Sequence, residues 1–172
     1  MEQNKNQPML EAYEAYADDI YRHCYFRLYN KETARDIMQE TFCRVWNYIR
    51  EGKEIKNMRA FLYRVANNLI IDEIRKKKEG SLDTIMETGV TPEALIGEDD
   101  NEKRILGKEV LMLIEELDES HRIIIVMRFI DELSPKEIAN ILETSENSVS
   151  VRLHRGVQKL RELARNKNLS VE

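Results

Sequence analysis

Proline and glycine are scarce in this 172-residue chain, at three and six, so the chain has few sites that force a turn or stop a helix. No long run alternates apolar and polar residues, which argues against strands and leaves an all-α fold as the expectation. No apolar stretch approaches the roughly 20 residues that would span a bilayer, so membrane insertion is not expected. Met1 to Asn6 lacks an apolar core, so a signal peptide is not expected and a cytoplasmic setting follows. Only two cysteines occur, Cys24 and Cys43, without metal-ligand spacing. Both fall within helical patterns and read as buried, reduced thiols. The three histidines, His23, His121 and His154, are scattered, and no carboxylate pair, phosphate loop or nucleophile motif stands out. Neither an enzyme nor a cofactor is therefore expected.

A net charge of −5 would seem to exclude nucleic acid, but its distribution reverses that reading. Residues 79–120 carry thirteen acids against three bases, whereas 51–78 carry eight bases against four acids and 121–172 nine against seven. Two mildly basic modules flank an acidic stretch, and phosphate affinity is set by such local patches.

The clearest pattern lies in the second module. Ser134-Pro135-Lys136-Glu137 reads as an N-cap, a proline at the first helical position and a glutamate closing a capping box. Ile138, Ile141 and Leu142 mark the buried side of that short helix, and Ala139 admits a close neighbour. Glu143-Thr144-Ser145 forms a turn, with Ser145 placed to cap the next helix. That helix runs to about Leu160 with Val149, Leu153, Val157 and Leu160 on one face. Its other face carries Asn147, Ser148, Val151, His154, Arg155 and Gln158, flanked by Ser150, Arg152 and Lys159. Amides and hydroxyls suit base edges, cations suit phosphates, and Val151 suits a thymine methyl. This is the layout of a helix-turn-helix. An amphipathic surface helix packed on a bundle would also satisfy the same spacing.

Around that motif the chain divides into a module over 9–78, a linker over 79–101 and a module over 102–165. The first has three expected helices. Met9–Leu28 is to bury Leu10, Tyr13, Ala17, Ile20, Cys24 and Leu28. Lys31–Ile49 is to bury Ala34, Ile37, Met38, Phe42, Val45, Trp46 and Ile49. Met58–Lys78 is to bury Phe61, Leu62, Val65, Ala66, Leu69 and Ile70, behind a loop at Arg50–Asn57. The linker carries Gly80, Gly89, Pro92 and Gly97 and the acidic run 98–100, with a short helical turn expected near Glu93–Ile96. The second module opens on a helix with Ile105, Val110, Leu111, Leu113, Ile114 and Leu117, followed by a strongly apolar helix over Arg122–Ile130.

Two polar sets in the first module exceed what a core needs. Asp36, Gln39, Glu40 and Arg44 lie mostly off the buried stripe of the second helix, as either a solvated or a protein-binding face. The third helix is expected to expose Tyr63, Arg64, Asn67, Asn68 and Ile71 and then ends in Arg75-Lys76-Lys77-Lys78. Those cations complement the helix dipole, and with an aromatic and two amides nearby they also suit single-stranded DNA.

Asp36-x-x-Gln39-Glu40-Thr41-Phe42-x-Arg44-x-Trp46, followed by Arg59-Ala60-Phe61-Leu62-Tyr63-Arg64-Val65-Ala66-x-Asn68-Leu69-x-x-Asp72-x-x-Arg75, resembles the second conserved region of extracytoplasmic-function (ECF) sigma factors of the sigma-70 family. Leu117–Leu160 is similar to their fourth region, and the two blocks stand in the right order. The resemblance implies two small helical domains joined by a flexible acidic linker, and a subunit that directs promoter-specific initiation by core RNA polymerase. It implies that Asp36, Gln39, Glu40 and Arg44 dock on the clamp helices of the largest polymerase subunit, and that the C-terminal module meets the flap of the second-largest. It implies that the Arg50–Asn57 loop with Asn68 captures a flipped −10 base. Tyr63, Arg64, Asn67 and Arg75 to Lys78 are then the remaining −10 contacts. The −35 set is Asn147, Ser148, Ser150, Val151, Arg152, His154, Arg155 and Lys159. An anti-sigma factor is a further expected partner, one that could hold the protein at the membrane, and the regulon is expected to serve stress or the envelope. Family turns often carry Gly and an apolar residue where Glu143 and Thr144 stand, Lys or Arg is frequent at Ser150, and Gly at Asn147. A sigma-mimicking decoy for an anti-sigma factor, or a stand-alone helix-turn-helix regulator, are the alternatives. The second would leave the Asp36–Trp46 block without a role.

Overall fold

The computed structural model describes residues 3–80 and 101–167, with side chains over 7–80 and 107–167. Among them every regular element is helical: α1 (Gln3–Leu28), α2 (Lys31–Arg50), α3 (Met58–Gly80), α4 (Asn101–Glu116), α5 (Glu119–Ile125), α6 (Pro135–Ile141) and α7 (Glu146–Asn166), with a π turn at Val126–Ile130. The chain divides into two compact units, one built on α1–α3 and the other on α4, α5 and α7. The central part of the expected linker, including the turn near Glu93–Ile96, lies outside the described residues. Its two ends are helical, since α3 runs on through Glu79 to Gly80 and α4 already begins at Asn101.

Side chains fix most of the helix starts. Asn30 caps α2 through Thr33 N–H at 2.9 Å, and Asn57 caps α3 through Ala60 N–H at 3.0 Å. Asp118 caps α5, and Ser145 caps α7 through Ser148 N–H at 3.1 Å. At α6 the capping box closes both ways: Glu137 Oε2 accepts from Ser134 N–H at 2.8 Å and Ser134 Oγ from Glu137 N–H at 3.3 Å. Each cap satisfies an amide that the first turn leaves without a helical partner. Helix α1 starts six residues earlier than expected and carries Pro8 within it.

In the first unit α1, α2 and α3 pack on one another. Ile20, Cys24, Phe26, Ala34, Phe42, Val45, Leu62, Ala66 and Ile70 form its core. Leu10 and Tyr13, expected inside, are 54% and 43% exposed. They lie on the N-terminal half of α1, where Ala12 is buried instead and Tyr13 covers only the edge of Phe42, ring centroids 4.9 Å apart. Trp46 and Ile49 are half-buried. Cys43 is exposed rather than buried, because the buried side of α2 passes through Phe42 and Val45 and turns position 43 outward.

A second correction concerns α3. Tyr63 and Asn67, expected on its outer face, are 0% and 4% exposed. The facing positions on α1 are the buried His23 and Arg27. Arg27 Nη1 donates to Asn67 Oδ1 at 3.0 Å, and the ring of Tyr63 meets His23 edge-on at 5.2 Å. A buried cation requires oriented acceptors, so polar residues of α3 are drawn inward to meet polar residues of α1.

In the second unit α7 lies against α5, and α4 against both. Arg122 closes the end of α4, donating to the carbonyls of Ile114 at 3.3 Å and Leu117 at 2.8 Å, and to that of Glu115. The apolar run 122–130 is not one buried helix. After Ile125 the helix widens into the π turn, in which Asp131 N–H reaches Val126 O at 3.0 Å, and Glu132 takes φ 55°. The widening swings Phe129 to 56% exposure while Ile123 to Met127 stay buried. Val110, also expected inside, is 36% exposed at the outer side of α4. Helix α7 approaches α5 through Gly156, where a Cβ would stand 3.2 Å from Ile125 Cγ1.

Glu143 in the turn before α7 has φ 53°, a left-handed value that a glycine adopts without the Cβ clash. Glu143→Gly is expected to stabilise the protein by about 0.5–1 kcal/mol and Glu143→Val to destabilise it, as measured by urea unfolding. Of the two thiols, only Cys43 is expected to react with a maleimide in the native protein, and Cys24 only once the chain is unfolded. Mass spectrometry of the labelled protein reads both outcomes.

Candidate nucleic-acid interface

Helix α2 separates its two faces cleanly. Ala34, Ile37, Met38, Thr41, Phe42 and Val45 are buried, and Thr41 satisfies its hydroxyl by donating to Ile37 O at 2.7 Å. Asp36, Gln39, Glu40 and Arg44 are all exposed on the other side. Arg44 Nε meets Glu40 Oε1 at 2.7 Å, an exposed pair one turn apart that stabilises little but keeps both heads on the same strip.

At the start of α3 the connecting loop turns at Gly52, φ 80°, with its N–H on Ile49 O at 3.0 Å. Tyr48 and Phe61 lie 4.8 Å apart, centroid to centroid, and Lys53 sits over Tyr48 at 4.9 Å. The carboxylate of Glu51, 2.6 Å away, raises Lys53 above its ordinary value. Farther along, Asn68 is exposed and Arg64 half-buried, and Arg75, Lys76, Lys77 and Lys78 are all exposed. Asp72 lies 4.0 Å from Arg75 and Glu73 3.8 Å from Lys77, both loose surface pairs. A surface pocket of about 230 Å³ sits beside this basic end, lined by Arg27, Leu28, Ile74, Lys77 and Lys78.

In the second unit α7 follows a turn whose Thr144 N–H bonds Ala139 O at 3.0 Å. Val149, Gly156 and Ala164 are its buried positions, with Leu153, Val157 and Leu160 half-buried on the same side. Asn147, Ser150, Val151, His154 and Arg155 are exposed together on the opposite side, with Ser148 half-buried at the cap. This row has the amide, hydroxyl, cation and methyl groups that groove reading requires.

Arg152 and Lys159 do not join that row. Arg152 Nη2 donates to Ser120 O at 2.9 Å, and Lys159 Nζ to Asp118 Oδ2 at 2.6 Å. Their charge, counted in the sequence towards phosphate, is directed at the start of α5. Asp118 there receives Ser120 Oγ at 2.5 Å, His121 N–H at 3.2 Å and lies 2.7 Å from His121 Nδ1. Lys159 first, then Ser120 and His121, hold the Asp118 carboxyl well below the usual carboxylate range. Asp118, Arg122 and Gly156 are positions that sequence reading passed over. The first had a signal, an aspartate three residues before His121 at a helix start, and the other two had none outside the packing.

The model for Sigma-70 region 2 matches residues 12–79 and that for Sigma-70, region 4 matches residues 107–160. The ECF RNA polymerase sigma factor SigW of Bacillus subtilis is 35% identical over 159 residues, covering 87% of this chain and 85% of SigW. This chain is an ECF sigma factor. SigM of the same organism is 30% identical, with 89% and 93% covered. The solved structure of the sigma factor RpoE in complex with the anti-sigma factor NepR from Bartonella quintana shares its fold, with TM-score 0.72, 18% identity and coverage of 95% and 98%. Both matched regions of the sigma factor thus contain an exposed polar row opposite a packed face.

Because the Asp118 carboxyl titrates below its ordinary value of 3.8, the stability it contributes is present above that pH and is lost as pH falls through the depressed value. The stability gap between wild type and Asp118→Asn is expected to be full at about pH 7 and to shrink towards about pH 3. Urea unfolding at the two pH values measures it.

Proposed function

We propose that this sigma factor grips promoter DNA at two points while docked on core RNA polymerase, with Asp36, Gln39, Glu40 and Arg44 as the docking strip. The observation that carries the reading is the pair of polar rows, on α2 and on α7, each exposed opposite a face that is buried. In the first unit, residues 9–78, Asn68 with the 50–57 loop receives the unpaired −10 base, and Arg64 and Arg75 to Lys78 follow the phosphates around it. Tyr63 and Asn67 leave that contact set, since both are buried, and support it from behind. In the second, residues 102–165, Asn147, Ser148, Ser150, Val151, His154 and Arg155 read the −35 duplex.

Strand separation is then favoured by binding the extruded base. The protein acts by binding, and no bond is made or broken by its own residues. Covalent linkage of the units makes the second contact intramolecular once the first has formed, so neither needs high affinity alone. Among the described residues no helix is long and apolar enough to cross a membrane, and a cytoplasmic site of action fits a partner of polymerase. Control by an anti-sigma factor completes the proposal, RpoE being bound to one in its solved complex. Stress or envelope genes are the proposed target set.

Core polymerase reconstituted with this protein is expected to give promoter-specific transcripts from genomic templates, and a complete lack of them would overturn the reading. On a promoter found that way, Arg155→Ala is expected to lower affinity about tenfold, and Glu40→Lys to reduce retention on core polymerase in gel filtration.

A further inference from the structure

Three contacts tie α7 to α5, one at the C-terminal end of α5 and two at its start. Gly156 faces the Ile125 side chain, where an added Cβ would stand 3.2 Å from Cγ1. Arg152 Nη2 bonds Ser120 O at 2.9 Å, and Lys159 Nζ meets Asp118 Oδ2 at 2.6 Å. Arg152 and Lys159 are seven residues apart, two turns of one helix, so they hold α7 by the same flank at two heights. The rotation of α7 about its axis is thereby fixed, and with it the direction of the row Asn147, Ser150, Val151, His154 and Arg155. A helix turned by one residue's worth, about 100°, would present a different row altogether.

We propose that Asp118 is a positioning residue for promoter recognition: as N-cap of α5 and anchor of Lys159, it sets the angle at which α7 meets the −35 duplex. The carboxylate serves two helices at once. One oxygen accepts from Ser120 Oγ and the first-turn amide of α5, while the other faces Lys159. Lys159, which its position on α7 would assign to DNA phosphate, acts here on the protein side. The proposal rests on the reading of α7 as the −35 reader.

The two roles for Lys159 give opposite signs at Asp118. If Lys159 served phosphate directly, removing the competing acid would leave DNA affinity unchanged or raise it. If Asp118 positions α7, removing its charge lowers affinity. Asp118→Asn is the informative variant because asparagine caps a helix start as well as aspartate does, so the fold is kept while the ion pair is lost. Holoenzyme made with wild type, Asp118→Asn, Lys159→Met and the double variant is titrated on a promoter obtained from transcript sequencing, with its −35 element intact or scrambled, over a range of salt. Circular dichroism melts accompany each variant.

The expected result is a loss of about three- to fivefold for each single variant on the intact promoter, with the double variant no worse than either single. The slope of log affinity against log salt should not change, because no phosphate contact is removed. All variants should bind the scrambled promoter alike. Unchanged or tighter binding by Asp118→Asn, or a salt slope shallower by about one for Lys159→Met, overturns the positioning role. A wild-type holoenzyme indifferent to scrambling removes the reading of α7 itself, and the positioning role with it. A −35-dependent wild type beside an Asp118→Asn holoenzyme that binds the intact promoter as tightly, and discriminates against the scrambled one as well, removes the positioning role alone.

Discussion

Every outward residue of α7 is placed by how that helix is held from behind, and one of the holds is at Gly156, against Ile125. The absence of a side chain there leaves room for Ile125, which an added Cβ would crowd at 3.2 Å. A helix pair that close leaves little freedom to roll, and the polar links on either side remove what remains. The exposed row is therefore a consequence of a buried position. The same logic governs α2, where the outward strip from Asp36 to Arg44 is the complement of a packed face that includes a satisfied threonine.

The two units reach stability by different means. The first places a polar layer inside its core, with Arg27 bonded to Asn67 and His23 packed edge-on against Tyr63. Such a layer specifies one arrangement of α1 on α3, since any slip would break the buried bond from Arg27 to Asn67. The second unit keeps an aliphatic core of Ile123, Ile124, Ile125, Val126 and Met127 and puts its polar links at the margins, on Arg122, Ser120 and Asp118.

Much of this was legible in the sequence because it depends on neighbours a few residues away. The capping box at Ser134 and Glu137, the cap at Ser145 and the exposed strip of α2 all follow from spacing along one helix. What could not be read depends on residues distant in the chain. Tyr63 and Asn67 look like surface residues until His23 and Arg27 are set opposite them. Arg152 and Lys159 look like phosphate ligands until the start of α5 is placed beside them. Phe129 belongs to an apolar run, and only the widened turn after Ile125 puts it outside. Glu143 departs from the glycine that family turns often carry, and its left-handed backbone gives the physical reason that glycine is common there.

The helix caps also bear on how fast the protein becomes usable. Each links residues three apart, and in the first unit each helix packs on one adjacent to it in sequence. Chains dominated by such short-range contacts fold in microseconds to milliseconds, because little loop entropy is lost before contacts form. A subunit built this way loses little time between leaving the ribosome and reaching its folded state.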